Sequence, residues 1–120
     1  MSDKKGTIKN FDYFLWESFR NGDKTALKRI YNDHYASLFD YGIRITHNKD
    51  FVKDTIQEIF FYLISNLSSL GTTDNIRFYL LATLRRKIFA KLQKDKKFGK
   101  LDLENAHKDL YFELSPEDDI

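Results

Sequence analysis

Residues 50–64 read Asp-Phe-Val-Lys-Asp-Thr-Ile-Gln-Glu-Ile-Phe-Phe-Tyr-Leu-Ile and alternate between apolar and polar side chains at helical spacing. The apolar residues recur every three or four positions, as on the buried side of a helix; they are Val52, Ile56, Ile59, Phe60 and Leu63. A short polar stripe with one aromatic follows the same period on another face: Asp54, Gln57, Glu58 and Phe61. This stretch predicts an amphipathic helix that offers a compact Asp/Gln/Glu cluster to the arginines of a partner.

A simpler interpretation of the polar stripe stays open. Asp50 and Asp54 fall in the first turns of the predicted helix, where the helix dipole favours carboxylates without any partner. Gln57 and Glu58 would then be ordinary solvated positions.

Composition limits the class of protein. The chain has 120 residues, the size of one domain, with eleven Phe, seven Tyr and one Trp but only five Gly and one Pro. So few helix breakers indicate an all-α protein. There is no Cys, which excludes a disulfide framework and a thiolate metal site. The polar residues 1–10 and the absence of a long apolar run predict a cytoplasmic protein without membrane insertion.

Helix start and end signals predict a compact bundle of about four helices. The first covers residues 12–19 and ends at Asn21-Gly22, and the second runs from an N-cap at Asp23 to about Ile45. After a break at His47-Asn48, Asn48 or Asp50 caps the third helix, and Asp74 or Asn75 starts a fourth that reaches about Lys94. The predicted organisation is a flexible N-terminus at 1–10, a helical domain at 11–97, and an acidic tail or start of a linker at 98–120. A short helical turn is expected near residues 103–112.

The predicted core consists of one apolar stripe on each helix. The remaining three stripes are Phe14, Leu15 and Phe19 in the first helix, Leu27, Ile30, Tyr31, Tyr35, Leu38 and Tyr41/Gly42 in the second, and Leu80, Leu81, Leu84, Ile88 and Leu92 in the fourth.

Charge is distributed in blocks that the net value of +2 conceals. Residues 76–100 contain nine basic side chains and one acidic side chain, whereas residues 101–120 contain seven acidic side chains and one basic. A cationic amphipathic helix with Phe78, Tyr79 and Phe89 among its cations suits a phosphate backbone and unpaired bases. A solvated surface helix, with Phe78 and Tyr79 in the core, is about as compatible with this pattern. Attachment to an anionic membrane surface is a weaker option, because the apolar face is needed for packing.

The segment from Leu67 to Asn75 loses the helical periodicity, and we expect it to be an unstructured, mobile loop. Its short polar side chains could read the edges of an extruded base, although ordinary loops share this composition.

The sequence offers no active site. His34, His47 and His107 lie far apart, and none has a second histidine or a cysteine three or four residues away. The chain has no glycine-rich phosphate loop and no nucleophile elbow. We therefore expect a protein that is not an enzyme and that uses no metal or cofactor.

Three segments, in this order, resemble region 2 of bacterial sigma factors, in the extracytoplasmic-function group of the sigma-70 family. The first segment runs from Gly22-Asp23 to Phe39, the second is Asp54-Thr-Ile-Gln57-Glu58-Ile-Phe60, and the third is Arg77-Phe-Tyr79-Leu80-Leu-Ala-Thr-Leu-Arg85-Arg86. The similarity covers about residues 12–95.

The resemblance implies a transcription-initiation domain that docks on the β′ clamp helices of core RNA polymerase and recognises and melts the −10 promoter element. The implied polymerase-binding residues are Asp54, Gln57, Glu58 and Phe61. The residues implied to bind promoter DNA, mainly the single non-template strand, are Ser69, Thr72, Thr73, Asn75, Arg77, Tyr79, Arg85, Arg86, Lys87 and Lys91. An anti-sigma factor is a further candidate partner.

The fourth helix departs from the family pattern at three positions. The family continues Arg-Asn, then Asp four residues later and Arg three beyond that, where this chain has Arg86, Ala90 and Gln93. A second domain that reads the −35 element does not follow within the 120 residues. The alternative function is therefore a helical protein–protein adaptor with a degenerate DNA-binding surface.

Overall fold

The computed structural model describes residues 10–95, which form a bundle of four α-helices. Helix α1 spans Phe11–Arg20, α2 Lys24–Thr46, α3 Lys49–Ser65 and α4 Ile76–Asp95, with one 3₁₀ turn at Leu67–Ser69. Within these residues there is no β-strand, so the predicted all-α bundle of about four helices is confirmed. The long α2 packs against each of the other three helices and forms the centre of the bundle.

Side-chain caps fix where the helices begin. The side chains of Asn10 and Asn48 accept from the backbone N–H groups of Tyr13 and Phe51, at 2.9 and 3.1 Å. Asp23 caps α2 in the same way, through a 2.8 Å bond from Thr25 N. The predicted cap at Asp23 is thus confirmed, and of the two candidates for α3, Asn48 and Asp50, the structure selects Asn48.

Two residues with positive φ end the first two helices. Gly22 has φ of 93° in the turn after α1, and His47 has φ of 62° as the C-cap of α2. A left-handed residue closes the last turn and reverses the chain direction, which is easiest for glycine. The short connections keep α1, α2 and α3 adjacent in space.

The core follows most of the predicted stripes. All the predicted core residues of α3 and α4 are buried. In α2, the side chains of Ile30, Leu38 and Tyr41 are buried. Gly42 lies against Val52 of α3, because a Cβ built on Gly42 would come within 2.6 Å of Val52 Cγ1. This glycine therefore permits α2 and α3 to approach closely.

The prediction for α1 was wrong at Phe14. Its side chain is 58% exposed, whereas Trp16, which the predicted stripe omitted, is fully buried. Trp16 and Phe19 lie three residues apart and define the inward face, and Phe14 is turned about 200° from Trp16 around the helix. In α2, Leu27, Tyr31 and Tyr35 are partly rather than fully buried, and they pack against the edge of the core.

Some predictions lie outside the described residues. These are the flexible segment before residue 10, the acidic tail or linker at 98–120, and the helical turn near 103–112.

Candidate docking and nucleic-acid-binding surface

The polar stripe of α3 is exposed along its whole length. Asp54, Gln57 and Glu58 face solvent, and the ring of Phe61 is 73% exposed beside them. Val52, Ile56 and Ile59 bury the opposite side of the same helix. Gln57 is also fixed to α2, because its Nε2 donates a 2.8 Å hydrogen bond to Tyr31 Oη. The stripe is therefore a solvent-facing surface on a helix whose position is set by the core.

Glu58 connects this stripe to the cationic helix α4. The Glu58 carboxylate lies 3.2 Å from the ammonium nitrogen of Lys91 and 3.6 Å from that of Lys87. From the sequence, the acidic stripe and the basic helix are predicted to be two separate surfaces. Packing of α3 against α4 makes them adjacent, and it joins two of the predicted DNA-binding cations to a predicted polymerase-binding carboxylate.

Lys91 is more firmly held than Lys87. Its Nζ donates a 2.8 Å hydrogen bond to Oγ1 of the buried Thr55 and lies 4.6 Å from the centre of the Phe51 ring. Its side chain is only 26% exposed, against 41% for Lys87. The amphipathic stem of Lys91 thus packs against α3 while its charge is satisfied there.

A groove of about 460 Å³ opens along the outer end of α3. Phe61 and Tyr62 provide its apolar surface, and Gln57, Ser65 and Asn66 provide amide and hydroxyl groups beside Glu58 and Lys87. Tyr62 is 56% exposed, so both rings that line the groove are accessible to solvent. Tyr62 and Ser65 were not among the predicted site residues. The two adjacent aromatic residues near the end of the predicted helix are the signal in the sequence that could have indicated this groove.

The segment between α3 and α4 is anchored by α1, contrary to the prediction of a mobile, structureless loop. It contains the 3₁₀ turn and a buried side chain, Leu70. Trp16 Nε1 donates to the Gly71 carbonyl at 2.8 Å, and the Asn10 side-chain amide donates to the Asp74 carbonyl at 2.9 Å. The anchors come from residues about 60 positions away, which loop composition does not indicate.

The predicted base-reading residues differ in how far the fold already uses them. Ser69 Oγ donates to the Asn66 carbonyl, and Thr73 Oγ1 both donates to the Asn75 carbonyl and accepts from Asn75 N. The Asn75 side chain caps α4 by accepting from Phe78 N at 2.9 Å. Thr72 is exposed.

The predicted cations and aromatics of α4 also divide into exposed and packed groups. Arg77 and Arg86 are exposed, while Arg85 is partly buried with its guanidinium carbon 4.7 Å from the centre of the Phe89 ring. Tyr79 lies between surface and core, 4.8 Å ring to ring from Trp16, and burial raises its pKa. Phe78, 45% exposed, is the aromatic that α4 presents to solvent beside Arg77.

A second cleft, of about 440 Å³, lies between α2 and the first turn of α4 and was missed by the sequence analysis. Ser37, Asp40, Tyr41 and Arg44 line it from α2, and Arg77 lines it from α4. Positions 37, 41 and 44 share one helical face, which is the signal that could have revealed it. His34 continues that face, and burial lowers its pKa, opposed by Asp12 and Asp33 and reinforced by Arg77.

Residues 10–95 contain neither a membrane-spanning helix nor a cluster of metal ligands. No helix there is both long and apolar enough to cross a membrane. No group of three or more His, Asp or Glu side chains in that range could hold a metal ion.

Comparison with protein-family models, with characterised proteins and with solved structures gives no match to the chain.

Proposed function

We propose that this chain is a sigma region 2-type domain, which binds the β′ clamp helices of core RNA polymerase and recognises and melts the −10 promoter element. The proposal rests on the resemblance of the three sequence segments, since no comparison with known proteins supplies a family. One observation from the structure supports it most directly: Asp54, Gln57, Glu58 and Phe61 are exposed together on a helix whose opposite face is buried in the core.

The chemistry of this stripe fits a basic helical partner. Asp54 and Glu58 can accept charge-assisted hydrogen bonds from arginine, and Gln57 can accept through its amide oxygen while its nitrogen donates to Tyr31. Phe61 adds an exposed aromatic surface of the kind that anchors protein interfaces. In the complex, Phe61 would be buried against the partner, and the charges of Asp54 and Glu58 around it would set the partner's orientation.

The nucleic-acid half of the proposal is supported by the arrangement of the loop and α4. The segment 67–75 leads directly into the helix that carries Arg77, Arg85 and Arg86. Three bonds from α1 and its N-cap residue hold this junction: those to the Gly71 and Asp74 carbonyls, and a 2.9 Å bond from Ile76 N to Asp12 Oδ2. A preformed junction lowers the entropy lost when single-stranded DNA binds.

The second candidate, a protein–protein adaptor with a degenerate DNA-binding surface, is favoured by a specific observation. Lys87 and Lys91 are both engaged by Glu58, and Lys91 is held further by Thr55. Ala90 and Gln93, where the family has Asp and Arg, are exposed and offer no charge. An adaptor would bind polymerase, or an anti-sigma factor, without opening a promoter.

Polymerase docking is tested by capture of core RNA polymerase with immobilised chain carrying Asp54→Lys. Glu58 is left unchanged because its reversal would place three cations together and disturb the contact of α3 with α4. Like charge against a basic partner should weaken capture by about tenfold or more. The control is Asp74→Lys, the same charge reversal at an exposed residue of the segment before α4. Equal capture by both variants would exclude docking through this stripe.

Promoter recognition is tested separately, with the chain held on core polymerase. Footprinting of open complexes on candidate promoters should show melting around the −10 element, and binding to single strands should weaken with salt by a slope of about 0.7 per phosphate contact. Polymerase capture without promoter opening would select the adaptor function instead.

A further inference from the structure

The cleft between α2 and α4 brings two arginines together from different helices. Arg44 lies in the last turn of α2 and Arg77 in the first turn of α4, and both line the same 440 Å³ space. Ser37 and Tyr41 line the cleft from the α2 side. Only Arg77 was among the predicted DNA-binding residues, so the α2 wall is a surface that the proposed function does not include.

These side chains have the chemistry of a phosphate site. Guanidinium groups present several N–H donors in a planar fork that matches the oxygens of phosphate, and a serine hydroxyl adds a rotatable donor. The guanidinium carbon of Arg44 lies 5.5 Å from the centre of the Tyr41 ring, and that ring is almost fully buried. The contact with a buried ring limits the positions open to Arg44, so less entropy is lost when an anion binds.

The charge of the lining points to a particular kind of phosphate. Asp40 lies in the cleft with the two arginines, which leaves a single excess positive charge. A phosphodiester carries one negative charge and matches that excess. A phosphate dianion or a run of carboxylates would bring further negative charge close to Asp40 and be opposed by it.

We propose that this cleft binds a phosphodiester group of single-stranded DNA through Arg44, Ser37 and Arg77, and so extends the nucleic-acid surface from α4 onto α2. The nature of the polymer rests on the proposed function, whereas the selection of a phosphodiester rests on the cleft alone. Arg77 follows the 67–75 segment by two residues, so a strand that passes over that segment would reach the cleft next.

The test is fluorescence anisotropy of the full chain with a labelled ten-nucleotide oligothymidine. Arg44→Gln should weaken binding by about tenfold and lower the salt slope by about 0.7, the loss of one phosphate contact. Asp40→Asn should strengthen binding, because it removes the opposing charge. The matched control is Lys28→Gln, which removes one exposed cation from the other end of α2, about 24 Å along the helix from Arg44.

Opposite effects at Arg44 and Asp40 would support the cleft, because loss of folding would weaken binding in both variants. An Arg44→Gln effect no larger than that of Lys28→Gln, or weaker binding by Asp40→Asn, would overturn the proposal. A peptide of residues 101–120 that displaces the labelled strand at a lower concentration than unlabelled oligothymidine would assign the cleft to an acidic polypeptide. That result would also overturn the proposal. Displacement of the labelled strand by inorganic phosphate, at a lower concentration than the phosphodiester groups of unlabelled oligothymidine require, would overturn it as well.

Capture of core polymerase by the unchanged chain is measured in parallel. Failure of that capture would count against the proposed function and leave the result for the cleft standing. Normal capture of polymerase, together with equal DNA binding by Arg44→Gln and Lys28→Gln, would exclude the cleft as a phosphodiester site. The proposed function would then still stand.

Discussion

Lys91 of α4 places its ammonium nitrogen 3.2 Å from the carboxylate of Glu58 on α3. The same nitrogen donates to Thr55 Oγ1, which itself donates to the Phe51 carbonyl, so the contact reaches from the surface into the interface between the helices. A cation that the sequence assigned to DNA therefore also holds the fold together. Its loss should be detected in stability as well as in any binding assay.

Lys91→Met tests this structural role. Methionine keeps most of the apolar stem but removes the bonds to Thr55 and Glu58, so the free energy of unfolding should fall by about 1 kcal/mol in urea titrations. Lys87→Met is the matched control: its ion pair is longer, at 3.6 Å, and its side chain is 41% exposed, so the change should be within about 0.5 kcal/mol. Equal losses in the two variants would contradict an anchoring role for Lys91.

Gly42→Ala should destabilise the protein although alanine is the better helix former. The added methyl group would meet Val52 Cγ1 at 2.6 Å, and a branched valine on a packed helix cannot move away freely. We expect a net loss of about 1–3 kcal/mol in thermal or urea unfolding. Val52→Ala in the same chain should recover part of that loss, giving a favourable coupling in a double-mutant cycle. Strictly additive effects would show that the two sites do not compete for the same space.

Asp12→Ala should weaken the start of α4 from a distance of 64 residues. The Asp12 carboxylate accepts from Ile76 N at 2.9 Å, so its removal leaves a first-turn donor unsatisfied and should cost about 1 kcal/mol. Hydrogen exchange at Ile76 and its neighbours should accelerate. Asp74→Ala is the control, because the Asp74 carbonyl that binds Asn10 is retained. Faster exchange in Asp74→Ala but not in Asp12→Ala would show that the Asp12 carboxylate does not anchor the start of α4.

Acidification should reduce stability through His34. Burial lowers the pKa of this imidazole, so below about pH 6.5 the unfolded chain takes up protons that the folded chain resists. The stabilising effect is thus complete above that pH and is lost as the pH falls through the folded-state pKa. His34→Gln should flatten the pH dependence of unfolding in this range. A slope equal to that of the unchanged chain would exclude His34 as its source.

Much of the fold follows from local sequence. Caps at Asp23 and Asn48, the turn at Gly22 and the apolar period of α3 and α4 depend on residues within a few positions of one another, and they were predicted correctly. The exposure of Asp54 and Phe61 follows in the same way, because the burial of one helical face leaves the other to solvent. The inward face of the short α1 was misjudged at Phe14, since ten residues with many aromatics define a helical face poorly.

The contacts between the helices were decided only by tertiary structure. Nothing in the local sequence says that Trp16 will hold Gly71, that Glu58 will meet Lys91, or that Arg44 and Arg77 will line one cleft. Periodicity gives the direction of a side chain around its own helix, but not the neighbour it meets, which depends on how ridges and grooves of different helices fit together. The sequence by itself therefore determined four helices and an exposed polar stripe. The packing of those helices decided that Glu58 of this stripe pairs with Lys87 and Lys91.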